Sequence, residues 1–264
     1  MPKHIQGSTA RIIITGNQAA KIYSGNDENF IREFNVLQRL GKHTNVVEML
    51  DVQDRTIILQ AGRCLREMLQ EGDISHEQQE KWVCGLARGL QYVHDNNVIH
   101  ADLNAANVIV SGDDIAMWID FGGSQLDDQE ALANYDEYSY RPPEHPDAPV
   151  NRATDIFAFG CTVFEIETGA PPFYHETKHM SQDGRISYVE DMYRQQLFPS
   201  VENLRFRSII MCCWQGQYES MSALKQDLDS MGVQRSKPLS WYDFPAMRMA
   251  IRNGIRRLWP CPTI

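Results

Sequence analysis

The stretch from His100 to Gly122 restricts the fold more than any other part of this chain. It reads His100-Ala-Asp-Leu-Asn-Ala-Ala-Asn107, then a short run, then Asp120-Phe-Gly122. A loop carboxylate, Asp102, suits the acceptance of a proton from an attacking hydroxyl. An amide (Asn107) and a second carboxylate (Asp120) are hard oxygen donors of the kind a divalent cation takes. These groups cooperate only if the chain brings them within a few ångströms of one another. Two short strands, 107–110 and 116–120, joined by the turn Ser111-Gly-Asp-Asp114, are expected to form a hairpin that returns Asp120 to Asn107.

On these residues the chain resembles the protein-kinase superfamily over roughly residues 5 to 230. His100–Asn107 matches the H-R-D-L-x-x-x-N catalytic loop except at its Arg, and Asp120-Phe-Gly122 matches D-F-G unchanged. Downstream, Tyr140-Arg-Pro-Pro-Glu144 resembles the Y-x-A-P-E box, and Asp155-Ile-Phe-Ala-Phe-Gly160 resembles the D-x-W-x-F-G segment that opens a long central helix. One D-F-G would carry little. Four motifs in order, with a family-like interval from Asp120 to Glu144, carry the resemblance.

The resemblance implies an α+β, two-lobed fold: a small β-rich N-lobe over about residues 1–60 and a larger helical C-lobe over about 65–234, followed by a basic tail over 235–264. It also implies ATP-dependent phosphoryl transfer, with Asp102 as catalytic base and Asn107 and Asp120 as Mg²⁺ ligands. Ala19-Ala-Lys21 is similar to the V-A-I-K strand, which makes Lys21 the expected contact of the ATP α- and β-phosphates and Glu33 its ion-pair partner. The segment around Glu33 has its own helical logic. Ser24 to Asp27 offers caps, Phe30, Phe34, Leu37 and Leu40 recur at helical spacing, and Gly41 stops the run.

The implied nucleotide contacts are Gly7, Ala19, Leu59, Ala61 and Asn104. Aligning Ile5-Gln-Gly-Ser-Thr-Ala-Arg-Ile12 on G-x-G-x-x-G-x-V keeps only Gly7, with Ile5 and Ala10 at the other glycine positions and Ser8 and Thr9 as side-chain donors. Leu59-Gln-Ala-Gly-Arg-Cys-Leu65 resembles the inter-lobe hinge, with adenine expected on backbone groups of Leu59 to Ala61 and Ile58 as gatekeeper. Ala101 replaces the Arg that pairs with a phosphorylated activation segment in the family, so phosphorylation is not expected to switch this chain on. Asn104 stands where a Lys usually touches the γ-phosphate, and the missing charge predicts slower turnover. Cys212-Cys-Trp214 resembles the C-W before a late Arg, yet Met221 stands where that Arg would pair with Glu144.

Ser75 and Gln78 form a capping box, and Trp82, Leu86, Leu90 and Val93 mark a buried helical stripe leading to His100. Family likeness places Asp155 under the catalytic-loop backbone with His100 packed beneath it, both in structural roles. At 264 residues and 42% hydrophobic, the chain can bury one two-lobed unit. The N-terminus shows no apolar signal region and no apolar run approaches membrane-spanning length, so the expected location is intracellular and cytoplasmic. Six cysteines without C-x-x-C pairing read as reduced thiols, and the scattered histidines suggest no metal site.

Charge is uneven: the body carries −15 and residues 235–264 carry +5. In that tail Arg248, Arg252 and Arg256 share one helical face and Met247, Ile251, Ile255 and Trp259 another, an amphipathic basic pattern. Its expected place is against the acidic body. The alternative is peripheral attachment to an anionic membrane surface, aided by prenylation of Cys261 in Cys261-Pro-Thr-Ile264. So acidic a body argues against a nucleic-acid partner. The sequence therefore reads as a protein kinase acting on a Ser or Thr of a protein substrate, similar to small single-domain kinase-like proteins of filamentous fungi. Three alternatives stand beside it: a pseudokinase scaffold, a small-molecule phosphotransferase, and a small kinase of the KEOPS type.

Overall fold

The computed structural model of this protein describes residues 2–7, 9–25, 27–133, 138 and 149–233. Ser8, the Tyr140 to Glu144 box and the basic tail with Cys261 lie outside the described residues.

The N-terminal part is an antiparallel sheet of five strands: β1 (Lys3–Gln6), β2 (Ala10–Thr15), β3 (Gln18–Tyr23), β4 (Met49–Gln53) and β5 (Thr56–Gln60), in the order β1-β2-β3-β5-β4. Two-residue turns set its hairpins. Thr15 pairs with Gln18 across Gly16-Asn17, where Gly16 has φ +60°, and Gln53 pairs with Thr56 across Asp54-Arg55, where Asp54 has φ 52°. The one helix between β3 and β4, α1 (Asp27–Leu40), follows the predicted stripe: Val36, Leu37 and Leu40 are buried, Phe30 and Phe34 pack against them, and Gly41 leaves the helix at φ 56°.

The rest is mainly helical. After β6 (Arg63–Cys64) come α2 (Leu65–Glu71) and α3 (His76–Asp95), whose Ser75–Gln78 capping box is formed as predicted and whose Trp82, Leu86, Leu90 and Val93 are fully buried. Four short strands follow, β7 (Val98–Ile99), β8 (Val108–Val110), β9 (Ala116–Trp118) and β10 (Gln125–Leu126). β6, β8 and β9 form one small sheet, while β7 and β10 form a two-stranded ribbon. The described residues then run through α4 (Arg152–Thr168), α5 (Tyr174–Thr177), α6 (Gln182–Arg194), α7 (Arg207–Trp214) and α8 (Met221–Val233). α4 is buried from Asp155 to Ile166 without a polar stripe, as a central helix must be. It meets α7 closely because Gly160 has no side chain: a Cβ there would lie 2.6 Å from Cys213 Cβ. Among the described residues no disulfide joins the cysteines, and no helix is long and apolar enough to cross a membrane.

Asn45 fastens the sheet half to the helical half. Its amide donates to the carbonyl of Ala116 at 2.8 Å, its carbonyl accepts from Trp118 N–H at 3.1 Å, and Val47 N–H returns a bond to Trp118 at 2.9 Å. Gly85 and Gly89 of α3 make room, since a Cβ at either would sit 2.6 Å from Asn45. Two halves joined here and along residues 60–64 leave the hairpin of β8 and β9 facing the sheet, which is where the candidate site forms.

Candidate active site

Strand parity builds the upper side of the site. Ala19, Lys21 and Tyr23 alternate along β3 and so share one face. Lys21 stands opposite Ile57 and Ala19 opposite Leu59, which puts Ile57 and Leu59 on that same face. Ile58 pairs with Ala20 on the other face. The buried Leu59 therefore shares the face of Lys21, and Ile58, the gatekeeper expected from the sequence, does not.

Lys21 itself lies between two carboxylates, with Nζ 2.6 Å from Glu33 Oε2 and 2.8 Å from Asp120 Oδ1. Glu33 is completely buried, so this is no solvated surface pair. Burial pushes the Glu33 carboxyl above the usual carboxylate range, and the Lys21 ammonium works against that rise without cancelling it. For Lys21 burial pulls downward, but Glu33 and Asp120 together outweigh it and keep the amine firmly protonated. Asp120 would also be raised by burial, yet the Lys21 charge and hydrogen bond hold it below the ordinary value. Tyr23 donates its hydroxyl to Glu33 Oε2 as well.

The lower side is the loop from His100 to Asn107. Asp155, in the first turn of α4, accepts the backbone N–H groups of His100 at 2.8 Å and Ala101 at 3.0 Å. Its carboxylate also lies 2.9 Å from His94 Nε2. These bonds hold Ala101 at φ 70°, a left-handed conformation that an alanine does not adopt without such support. The His100 ring lies 2.9 Å through Nε2 from the carbonyl of Ile119, and Nδ1 accepts Asp102 N–H at 3.4 Å, so both ring nitrogens are engaged within the loop and its neighbouring strand end. The expected structural roles of Asp155 and His100 are thus visible in the contacts.

Asp102 is oriented through both of its oxygens. Asn107 Nδ2 donates to Oδ2 at 2.8 Å and to the Asp102 carbonyl at 2.8 Å, while Asn104 Nδ2 donates to Oδ1 at 3.2 Å. Burial raises the Asp102 carboxyl and the Asp120 charge adds to the rise, against the pull of His100 and the two amides. A carboxylate shifted this way is a better proton acceptor. Asn104 departs from expectation. Its Oδ1 caps the single turn 105–107 by accepting from Ala106 N–H at 2.8 Å and Asn107 N–H at 3.3 Å, so the amide is committed to the loop and not extended toward a phosphate.

The hairpin does what its sequence required. Val108 pairs with Trp118 and Val110 with Ala116, and Asp120 follows with φ 66° and its side chain 44% exposed. Phe121 is buried beneath it. Helix α1 grips the following segment: Asn29 donates to the Gly122 carbonyl at 3.0 Å, Arg32 to the carbonyls of Ser124 and Glu130, and Arg39 pairs with both Asp127 oxygens at 3.0 Å. Asn29, Arg32 and Arg39 lie on one helical stripe, a signal the sequence offered and the motifs did not use.

Two other residues expected at the nucleotide have backbone partners within the protein. Ala61 N–H, expected to meet an adenine, donates to the carbonyl of Asn17 at 2.9 Å, so that donor is already satisfied. Gly7 lies in the tight turn between β1 and β2, its N–H donating to Ala10 at 2.9 Å, and a Cβ there would sit 3.0 Å from the same oxygen. Met221 is buried in the hydrophobic core, as an apolar residue in the place of the late Arg should be.

Residues 10–228 match the sequence model of the protein kinase domain. Among similar proteins, the serine/threonine-protein kinase mos of Patiria pectinifera is 27% identical over 220 residues, covering 76% of this chain and 61% of that protein. A probable serine/threonine-protein kinase of Dictyostelium discoideum is 27% identical over 184 residues, 65% of this chain and 37% of that one. Calcium/calmodulin-dependent protein kinase type 1 of Caenorhabditis elegans is 26% identical over 208 residues, 73% and 59% respectively. The matched stretch thus spans about three fifths or less of these relatives' own length.

Proposed function

This chain belongs to the protein kinase family, and we propose that within it the protein moves the γ-phosphoryl group of ATP to a serine or threonine hydroxyl of a protein substrate inside the cell. The observation that carries the proposal is the convergence of Lys21, Glu33 and Asp120 in one ion-pair chain opposite an Asp102 whose carboxylate is oriented by Asn107. The Ser/Thr choice follows the names of the similar proteins.

The donor set suits Mg²⁺. Asp120 offers a carboxylate and Asn107, whose Nδ2 is committed to Asp102, offers its amide oxygen, both hard donors. Two protein ligands are the number expected when substrate phosphates complete an octahedral shell. Mg²⁺, when bound, would neutralise phosphate charge as it develops. The chain's own residues account for the rest. Lys21, held by Glu33, fixes the phosphates by charge. Ala19 and Leu59 wall the base-binding side. Asp102 accepts the proton of the acceptor hydroxyl as its oxygen bonds to phosphorus and the bond to the leaving diphosphate breaks. Asn104 acts on this step only by orienting Asp102.

A scaffold that binds partners without transfer is the second reading. The uncharged, inward-turned Asn104 and the occupied Ala61 donor favour it. Purified protein with labelled Mg-ATP and a mixed protein substrate separates the two. Label on serine or threonine, with a magnesium-dependent rise in melting temperature that Asp120→Ala removes, supports the kinase. No incorporation and no magnesium-dependent shift at millimolar nucleotide would overturn the kinase reading in favour of the scaffold.

A further inference from the structure

We infer that Tyr23 is a positioning residue for phosphoryl transfer, acting through Glu33 to hold Lys21 in place; this inference rests on the reading just given. Tyr23 lies two residues beyond Lys21 on β3, so its side chain falls on the same face. It is buried, and its hydroxyl donates to Oε2 of Glu33, the oxygen that also takes the Lys21 ammonium. Its ring meets three further parts of the site. Phe30, one turn before Glu33 on α1, packs edge-on at 5.6 Å between centroids. The Lys21 ammonium stands 5.4 Å from the ring centroid. The hydroxyl lies close to Gly122, since a Cβ built there would be 3.6 Å from it.

The need for such a brace follows from the charges. Lys21 is shared between Glu33 and Asp120, and in transfer it must serve nucleotide phosphates as well. Each diversion of the ammonium leaves Glu33, which has no exposure to water, with less compensation. The phenol stays. A hydrogen bond to the buried carboxylate holds Glu33 in one rotamer, so that Lys21 returns to one position instead of several. Tyr23 touches no substrate atom in this account.

A double-mutant cycle tests it on the full chain: wild type, Tyr23→Phe, Glu33→Gln and the double variant, with kcat, the KM for ATP and the Mg-ATP melting shift measured for each. Loss of a hydrogen bond to a charged group should lower kcat of Tyr23→Phe about tenfold or more. KM for ATP should stay within about threefold, because the missing bond orients Lys21 more than it binds nucleotide. In the Glu33→Gln background the same change should cost less than about twofold, the signature of two residues acting as a unit. Equal factors in both backgrounds, or a lowered melting temperature with kcat unchanged, would overturn the inference while leaving the kinase reading intact. A wild type that neither transfers phosphate nor responds to Mg-ATP overturns both.

Discussion

Replacing Lys21 by methionine should destabilise the fold in a pH-dependent way. The substitution keeps most of the stem's volume and removes the one ammonium 2.6 Å from Glu33 Oε2. Glu33 is 0% exposed, so an ionised Glu33 would then be a buried charge without its cation. Breaking a buried pair from one side costs about 3–5 kcal/mol, which for a domain of this size is a fall in melting temperature of roughly 6–20 °C. Asp120 loses a partner too, but at 44% exposure water replaces most of that interaction. Burial already raises the Glu33 carboxyl above its ordinary value, and without Lys21 opposing it the rise grows. In the variant the folded state binds a proton that the unfolded state has released over the range between the two carboxyl values. Stability therefore falls as pH rises through that range and recovers toward acid pH, where Glu33 is neutral in both states. Urea titrations of wild type and Lys21→Met at pH 5.5 and pH 8 measure this. The gap should be near its full size at pH 8 and clearly smaller at pH 5.5, and Lys21→Met/Glu33→Met should regain most of the loss. A variant as stable as wild type at pH 8, or a gap independent of pH, would refute the account of the pair.

The register of β5 predicts that Leu59→Gly opens the pocket to ATP analogues enlarged at the adenine N6, measured as at least about a tenfold gain in competition with ATP, whereas Ile58→Gly gives none. Asp155→Ala strips partners from two buried N–H groups and from the support of Ala101 at φ 70°, so a loss of about 3 kcal/mol or more is expected in denaturant titration. Because Ala101 carries no charge and Arg32 and Arg39 already hold the segment after Asp120, phosphatase treatment should leave the rate of transfer unchanged. Arg39→Ala, at a pair exposed on both sides, should cost about 1 kcal/mol or less in the same titration.

Local signals were legible where the chain makes them locally. The stripe from Phe30 to Leu40 and its stop at Gly41 give α1, Ser75 with Gln78 gives the start of α3, and the apolar runs around Ser111-Gly-Asp-Asp114 give the β8–β9 hairpin with its ends one or two residues too long. What the sequence could not settle depended on register or on contacts between distant segments. Ile57-Ile58-Leu59 is apolar at every position, so nothing local says which side chains face Lys21, and the pairing with β3 decides it. Alignment placed Asn104 at a phosphate, but a short amide beside free N–H groups caps its own turn. Tyr23 and His94 act on Glu33 and Asp155 across packed elements, and no spacing in the chain announces such pairs.

The most direct test of the central claim is single-turnover phosphoryl transfer by Asp102→Asn with Mg-ATP affinity measured on the same protein. The substitution keeps the size of the side chain and removes its capacity to accept a proton. Transfer should fall by at least about a hundredfold, while the dissociation constant for Mg-ATP stays within about threefold, because in this account Asp102 touches no phosphate. Equal transfer by wild type and Asp102→Asn would contradict the assignment of Asp102 as the base and the mechanism built on it.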